Sequence, residues 1–435
     1  MHNKEIDIIT LGCSKNLVDA ERLMHQLSNI GFRCVHDPDK PQAEYAVINT
    51  CGFIGDAKEE SINTILQFAE RKRKHKLRKL FVMGCLSERY LKELQIELPE
   101  VDKFYGKFNF MQLISDLTGE QNSYDYSFER TITTPSHYAY LKISEGCNRF
   151  CSYCAIPLIT GRYRSRPIEQ IEQEVRWLVA RGVKEFQVIA QDLSSYGTDL
   201  YHENRLAELL RRISDIDGVE WIRLHYAYPS QFPYDILPLM RERKNICKYL
   251  DIALQHISDN MLSLMRRHIT KQQTYDLLHR IREEVPSIHL RTTMLVGHPG
   301  ETEADMDELI DFVKEMRFER LGTFAYSNEE GTYANLHYKD DIPQEVKEQR
   351  VSRIMSVQEQ IAAQINESKV GQILKVIIDR EEGDYFVGRT EFDSPEVDPE
   401  VLISKTDNPM LETGRFYLCQ IQSADDFDLY GKIIV

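Results

Sequence analysis

No run of about 18 consecutive apolar residues occurs in this chain of 435 residues, so the sequence offers no membrane-spanning helix. Its opening, Met1-His2-Asn3-Lys4-Glu5, has no charged segment followed by an apolar block. A cytoplasmic protein without a signal peptide is therefore expected. Heptads and low-complexity tracts are also missing. There is no excess of positive charge: 54 Lys and Arg stand against 69 Asp and Glu, a net charge of −15. A protein that grips nucleic acid through phosphates usually carries a basic field, so direct nucleic-acid binding is not expected. An acidic chain favours a basic protein partner or a small substrate. The nine cysteines are odd in number, which argues for a reducing compartment and for metal or catalytic use rather than a disulfide framework.

With 42% hydrophobic and 28% charged residues, the chain reads as globular. Its length exceeds one ordinary core, and three regions separate by pattern. Residues 1–126 alternate strand and helix, with strands expected at 5–11, 45–49 and 79–83 and helices at 16–30, 56–74 and 87–98. This is an α/β pattern, a parallel sheet of flavodoxin-like type with covering helices. Residues 121–136 are polar and read as a linker. Residues 137–367 repeat the strand–helix unit six times, with strands expected at 138–143, 185–190, 221–225, 249–254, 289–296 and 321–326. Six units in series suggest a partial TIM-type (β/α)6 barrel, with an open doubly wound sheet as the alternative. A charged helix over 344–369 ends this region. Residues 370–435 hold about five short strands broken by Asp, Gly and Pro, the pattern of a small β-barrel or sandwich.

The central region carries Cys147-Asn-Arg-Phe-Cys151-Ser-Tyr-Cys154 just after its first strand. Three thiolates on one loop can hold three irons of a 4Fe-4S cluster, leaving the fourth iron open. An open position can bind a substrate, as on a catalytic zinc. A zinc site, or a structural cluster completed elsewhere, is the competing reading.

In the first region, Cys13, Cys51 and Cys85 are far apart, yet each follows an expected strand by one to three residues. Strand C-termini of a parallel sheet share one edge, where ligand sites gather, so three distant cysteines converge there. Gly12, Gly52 and Gly84 flank them and are expected to leave room for a bulky cluster. The alternative is three buried cysteines acting as small apolar residues. Cys34, Cys247 and Cys419 follow no such pattern and receive no function.

The stretch Ser144-Glu145-Gly146-Cys147-Asn148-Arg149-Phe150-Cys151-Ser152-Tyr153-Cys154-Ala155-Ile156-Pro157 resembles the radical S-adenosylmethionine superfamily in its methylthiotransferase branch. The resemblance extends over the whole chain. Leu11-Gly12-Cys13-Ser14-Lys15-Asn16-Leu17-Val18-Asp19 is similar to the branch's signature, with serine in place of the usual proline after Cys13. The resemblance implies two 4Fe-4S clusters, one on Cys147, Cys151 and Cys154 that cleaves S-adenosylmethionine. The other, on Cys13, Cys51 and Cys85, would carry the sulfur that is methylated and donated. It also implies an electron donor and a C-terminal barrel of the TRAM type that presents substrate. No catalytic residue beyond the cluster ligands is implied.

In the superfamily the aromatic before the last cysteine, here Tyr153, lies near the adenine. Ala190-Gln191-Asp192, Leu254-Gln255-His256 and Val296-Gly297-His298-Pro299-Gly300-Glu301 fall at strand ends, where barrels keep active sites. Gln191, Gln255 and Gly297 are thus expected at the cosubstrate pocket, although Gly297 also fits an ordinary turn and His256 and His298 fit structural hydrogen bonding. Arg162, Arg164 and Arg166 could hold a carboxylate or be solvated charge at a helix start.

The branch divides between enzymes modifying an adenosine of transfer RNA and one modifying an aspartate of a ribosomal protein. Between residues 371 and 435 six basic residues face fourteen acidic ones, a balance suited to a basic protein and not to phosphates. Gln191-Asp192-Leu193-Ser194-Ser195-Tyr196-Gly197 and Tyr228-Pro229-Ser230-Gln231 also resemble the ribosomal-protein side. The expectation is methylthiolation of the β-carbon of an aspartate in the twelfth small-subunit ribosomal protein. A transfer RNA methylthiotransferase is the alternative.

Overall fold

A computed structural model describes residues 4–107, 109–118, 128–406 and 410–434. The first unit runs β1 (Lys4–Thr10), α1 (Ser14–Asn29), β2 (Phe32–His36), β3 (Tyr45–Thr50), α2 (Gly55–Arg73), β4 (Lys79–Gly84), α3 (Cys85–Glu97), β5 (Lys103–Phe104) and α4 (Phe110–Thr118). Its sheet is parallel in the order β2-β1-β3-β4-β5, the flavodoxin-like order. Ala20, Leu23, Met24 and Leu27 recur at helical spacing on α1 and pack on Ile6, Ile8 and Val47. On the opposite face Ile65, Phe68 and Ala69 of α2 cover Ile48 and Val82. The edge strands β2 and β5 and helix α4 were not anticipated.

Of the expected linker, the part up to residue 127 lies outside the described residues. The rest carries no helix or strand, but it is anchored. Arg130 is buried and pairs with Glu21 of α1 and with Glu174.

The second unit runs β6 (Tyr138–Lys142), β7 (Ser144–Glu145), α5 (Ile156–Thr160), β8 (Arg164–Ser165), α6 (Ile168–Val179), β9 (Glu185–Ile189), α7 (Leu206–Ser214), β10 (Trp221–Ala227), α8 (Ile236–Glu242) and β11 (Ile246–Ile252). It continues through α9 (Asp259–Leu264), α10 (Lys271–Glu284), β12 (His289–Val296), α11 (Glu303–Met316), β13 (Arg320–Ala325), α12 (Tyr333–His337) and α13 (Gln344–Glu367). Strands β6, β9, β10, β11, β12 and β13 pair in parallel in chain order, and β6 does not pair with β13. An order that never reverses belongs to an arc of a barrel, which decides against the doubly wound alternative.

The third unit is a closed barrel of β14 (Ile373–Glu382), β15 (Tyr385–Thr390), β16 (Val401–Ser404), β17 (Phe416–Ala424) and β18 (Leu429–Ile433), in the order β14-β15-β16-β18-β17. It plugs the arc at the end where its strands begin. Arg389 pairs at 2.8 Å with Glu185, the first residue of β9. Asp393 pairs with Arg320, the first residue of β13. Asp398 accepts from Tyr249 at 2.8 Å, and Glu396 from Tyr138 and Tyr140. The acidic count of this unit therefore overstates its acidic surface. Asp379, Asp393 and Asp398 are buried against cations or donors of the arc, although Glu381, Glu382, Asp384, Asp425 and Asp426 remain exposed.

Candidate active site between two sets of thiols

The loop of Cys147, Cys151 and Cys154 is closed at its base by the short β7–β8 ladder. Gly146 precedes it at φ 79°, and a Cβ there would stand 2.2 Å from the Arg162 carbonyl oxygen, so only glycine fits. The backbone N–H of Cys147 donates to Gly161 O and that of Ser152 to Met265 O. Arg149 ties the loop to the arc, donating to Asp192 at 2.7 Å, Ser195 at 3.0 Å and Gln231 at 3.1 Å. Ser152 Oγ lies 3.0 Å from His298 Nε2. Cys151 Sγ meets Arg267 Nη1 at 3.2 Å and Tyr228 Oη at 3.5 Å. Burial, with the nearby Asp192 carboxylate, pushes the Cys147 thiol up to about 12. Burial and the neighbouring Cys151 and Cys147 raise Cys154 further.

The other three cysteines stand where the sheet register puts them. Thr10 is level with Asn49, and Thr50 with Gly84, so Cys13, Cys51 and Cys85 leave the same edge. Asn16 of α1 staples the three loops together. Its Nδ2 donates to Leu11 O at 2.9 Å and Thr50 O at 3.1 Å, and its Oδ1 lies 3.6 Å from Cys85 Sγ. The flanking glycines allow this close approach of the loops. A Cβ on Gly12 would be 2.8 Å from Cys51 Sγ, and one on Gly52 would be 2.7 Å from the Leu86 backbone. Burial raises the Cys85 thiol to about 12, with Lys107 opposing the shift.

The two sets are carried on adjoining elements. Cys85 at the start of α3 shares an apolar cluster with Ala155 and Ile159, which lie just beyond Cys154. A buried ion network also crosses between the units. Lys142 pairs with Asp19 of α1 and with Glu145, and Lys107 lies 3.4 Å from Glu145. Burial opposes ionisation of Glu145, but Lys142 and Lys107 together hold its carboxyl down to about 2.

The other expected pocket residues gather at the same strand ends in part. Tyr153 Oη lies 3.3 Å from Arg267 Nη1. Gln191 donates to Glu145 at 3.0 Å while its Oε1 is buried and, among the described residues, without a partner, as is Asp192 Oδ1. Gln255 bridges to Met294 with φ 73°. Gly297 turns toward α13: its N–H donates to Glu301 at 2.7 Å, and a Cβ would meet Lys347. His256 is held structurally, its Nδ1 accepting from Ile257 and Ser258. Arg166 is committed to Glu174 at 2.6 Å. Among the described residues no group of three or more His, Cys, Asp or Glu side chains is placed to hold a single metal ion.

Comparison with known proteins gives three consecutive matches. Residues 5–106 match the model described as uncharacterized protein family UPF0004, residues 141–313 the radical SAM superfamily, and residues 370–434 the TRAM domain. The ribosomal protein uS12 methylthiotransferase RimO of Bacteroides thetaiotaomicron is 64% identical over 434 residues, covering 100% of this chain and 99% of that protein. The chain belongs to the RimO family. The RimO of Cytophaga hutchinsonii, at 50% identity over 99% of this chain and 98% of that protein, extends the match. Among solved structures, the radical S-adenosylmethionine methyltransferase TsrM of Kitasatospora setae aligns with a TM-score of 0.57 at 15% identity. It covers 74% of this chain and 73% of that one, a likeness of fold.

As a RimO family member the chain is a radical SAM methylthiotransferase, and a 4Fe-4S cluster and S-adenosylmethionine are its cofactors. No described helix is long and apolar enough to cross a membrane. Sequence reasoning missed Arg267, Lys107 and Asn16. Arg267 lies in an ordinary charged stretch and Lys107 in an aromatic one, with no motif around either. Asn16 was read only as part of a signature, not as the residue that joins three loops.

Proposed function

We propose that this RimO family enzyme methylthiolates the β-carbon of an aspartate in ribosomal protein uS12. Cys147, Cys151 and Cys154 hold one cluster, and Cys13, Cys51 and Cys85 hold a second. When bound, these groups and S-adenosylmethionine supply a 5′-deoxyadenosyl radical on one side and a methylthio donor on the other. The observation that carries this reading is the contact between Cys85 and Ala155 and Ile159, which sets the two groups of thiols on adjoining elements of one site. The chain's own residues do the positioning. Arg149 and His298 fix the central loop, Asn16 fixes the sulfur-side loops, and the Lys142–Glu145–Lys107 network locks the two units in register.

Tyr153, Gln191, Gln255 and Gly297 are assigned to the cosubstrate pocket. The unpartnered Oε1 of Gln191 supports this, being a buried acceptor at a strand end. The exposed acids of the C-terminal barrel, Glu381, Glu382, Asp384, Asp425 and Asp426, suit a basic ribosomal protein. An external electron donor completes the partners.

The test is anaerobic reconstitution with iron, sulfide, a reductant and S-adenosylmethionine, with uS12 and undermodified transfer RNA offered in parallel. Mass spectrometry is expected to find the methylthio gain on one aspartate of uS12. A gain confined to the RNA overturns the reading.

A further inference from the structure

Lys15 is buried at 7% exposure in the first turn of α1, two residues after Cys13. Its Nζ stands 3.2 Å from the centroid of the Tyr226 ring. Among the described residues it has no carboxylate at ion-pair distance and no hydrogen-bond acceptor. Asp251, an acid on the adjoining strand, feels the Lys15 charge from beyond ion-pair distance, while its carboxylate lies 3.5 Å from Arg291 and accepts from the Tyr226 backbone N–H. Lys142 and Lys107, also buried, are each matched by Asp19 and Glu145.

The Lys15 stem is buried, but its Nζ is not sealed from solvent. A cation over an aromatic face is held only weakly, so Nζ stays open to a stronger, anionic partner. Tyr226 itself is held at φ 64°, a left-handed conformation that a tyrosine adopts only when its surroundings impose it.

The location is as specific as the charge. Tyr226 and Tyr228 are two residues apart at the end of β10, and Tyr228 Oη touches Cys151 Sγ. Lys15 thus reaches from the Cys13 loop to the segment that contacts the central thiols. Its charge therefore stands between the two sets.

We propose that Lys15 receives the side-chain carboxylate of the substrate aspartate and so holds the neighbouring β-carbon between the two groups of thiols. The inference rests on the function proposed above. The methionyl carboxylate of S-adenosylmethionine is the other carboxylate entering this space. Lys15 rides on the sulfur-side loop, whereas the cosubstrate's amino and carboxylate groups are expected at the open iron of the central loop. Lys15 is a binding and positioning residue in this reading.

The test compares two forms of uS12, one with the target aspartate and one with asparagine there, titrated onto reconstituted wild-type, Lys15→Gln, Lys15→Met and Lys15→Arg protein. Wild type is expected to prefer the aspartate form by about 10- to 100-fold, the range of one charged hydrogen bond. Lys15→Gln and Lys15→Met are expected to lose the preference, and Lys15→Arg to keep most of it. Affinity for S-adenosylmethionine is expected to stay level. The ratio of the two affinities is internal to each variant, so incomplete cluster loading does not mimic the result. A preference that survives in Lys15→Gln, an equal loss on both forms, or no preference in wild type overturns the proposal. So does weakened cosubstrate binding with the preference retained. If wild type puts no methylthio group on uS12, the proposed function fails. If it does and Lys15→Gln still discriminates, only this inference fails.

Discussion

The two sets of cysteines reach the same place by opposite routes. Cys147, Cys151 and Cys154 occupy one loop whose base is closed by the β7–β8 ladder and Gly146, with Arg149, Cys151 and Ser152 tied to more distant residues of the arc. Cys13, Cys51 and Cys85 come from three strand ends separated by dozens of residues, and only the register of β1, β3 and β4 brings them level. The surroundings differ too. Cys151 faces the Arg267 guanidinium at 3.2 Å, whereas Cys85 faces the neutral Asn16 amide at 3.6 Å. A contiguous site is encoded in spacing. A dispersed one is encoded in topology, and its ligands are only as well placed as the whole sheet.

The sharpest separation of the two is chemical. Cys151→Ala is expected to abolish reductive cleavage of S-adenosylmethionine, read as 5′-deoxyadenosine by chromatography, and product with it. Cys13→Ala is expected to leave that cleavage in place and to abolish methylthio transfer to uS12. Full cleavage in the first variant, or full product in the second, would erase the division of labour between the sets.

The same contrast explains what the sequence revealed. The contiguous motif and the strand ends could be read because hydrophobic periodicity and cysteine spacing are local signals. The three dispersed cysteines were found only because each followed a recognisable strand. Strand β2 was missed because Phe32-Arg33-Cys34-Val35-His36 is a short, half-polar edge strand without a run of β-branched residues. The glycines beside the dispersed cysteines were noticed, but not the close approaches they allow. Gly12 admits Cys51 and Gly52 admits the Cys85–Leu86 backbone, contacts that no linear pattern displays. Charge counting pointed to the right class of partner but overstated the surface. Asp379, Asp393 and Asp398 were included in it, yet they are buried against His137, Arg320 and Tyr249. Composition does not distinguish a solvated carboxylate from one facing a buried arginine.

The contrast also predicts a residue that acts on the relation between the sets rather than on either. Glu329, 3% exposed, accepts from Arg89 of α3 at 2.7 Å and from Lys58 of α2 at 2.8 Å. Arg89 also donates to Gly52 O, beside Cys51. This clamp presses the sulfur-side loops onto the arc. Glu329→Gln leaves two cations short of their counter-charge, for a stability loss of about 3 kcal/mol by denaturant titration. Methylthio transfer is expected to fall about 10- to 100-fold relative to cosubstrate cleavage, because the two halves lose alignment by a fraction of their contact distance. An unchanged ratio of product to 5′-deoxyadenosine would mean that the clamp stabilises the fold without aligning the site.

The smallest expected effect concerns electron energetics. Arg267 is 2% exposed, and its guanidinium is fixed by the Ala253 carbonyl and by the Tyr228 ring, 4.1 Å away. From there Nη1 points at Cys151 Sγ. A fixed cation beside a cluster thiolate favours the state with one more electron, so it raises the reduction potential. Arg267→Gln removes the charge and shortens the reach, and the central potential is expected to fall by about 60 mV, a tenfold change for one electron. Electron paramagnetic resonance during a potential titration reads it, in a background with Cys13, Cys51 and Cys85 all changed to Ala so that one cluster signals. The companion variant Asn16→Ala, made with the central cysteines removed instead, is expected to move the sulfur-side potential much less, because it removes no charge even though it also loosens the bonds to Leu11 O and Thr50 O. Equal shifts in the two backgrounds would show that the sets differ in how the chain assembles them but not in how it tunes them.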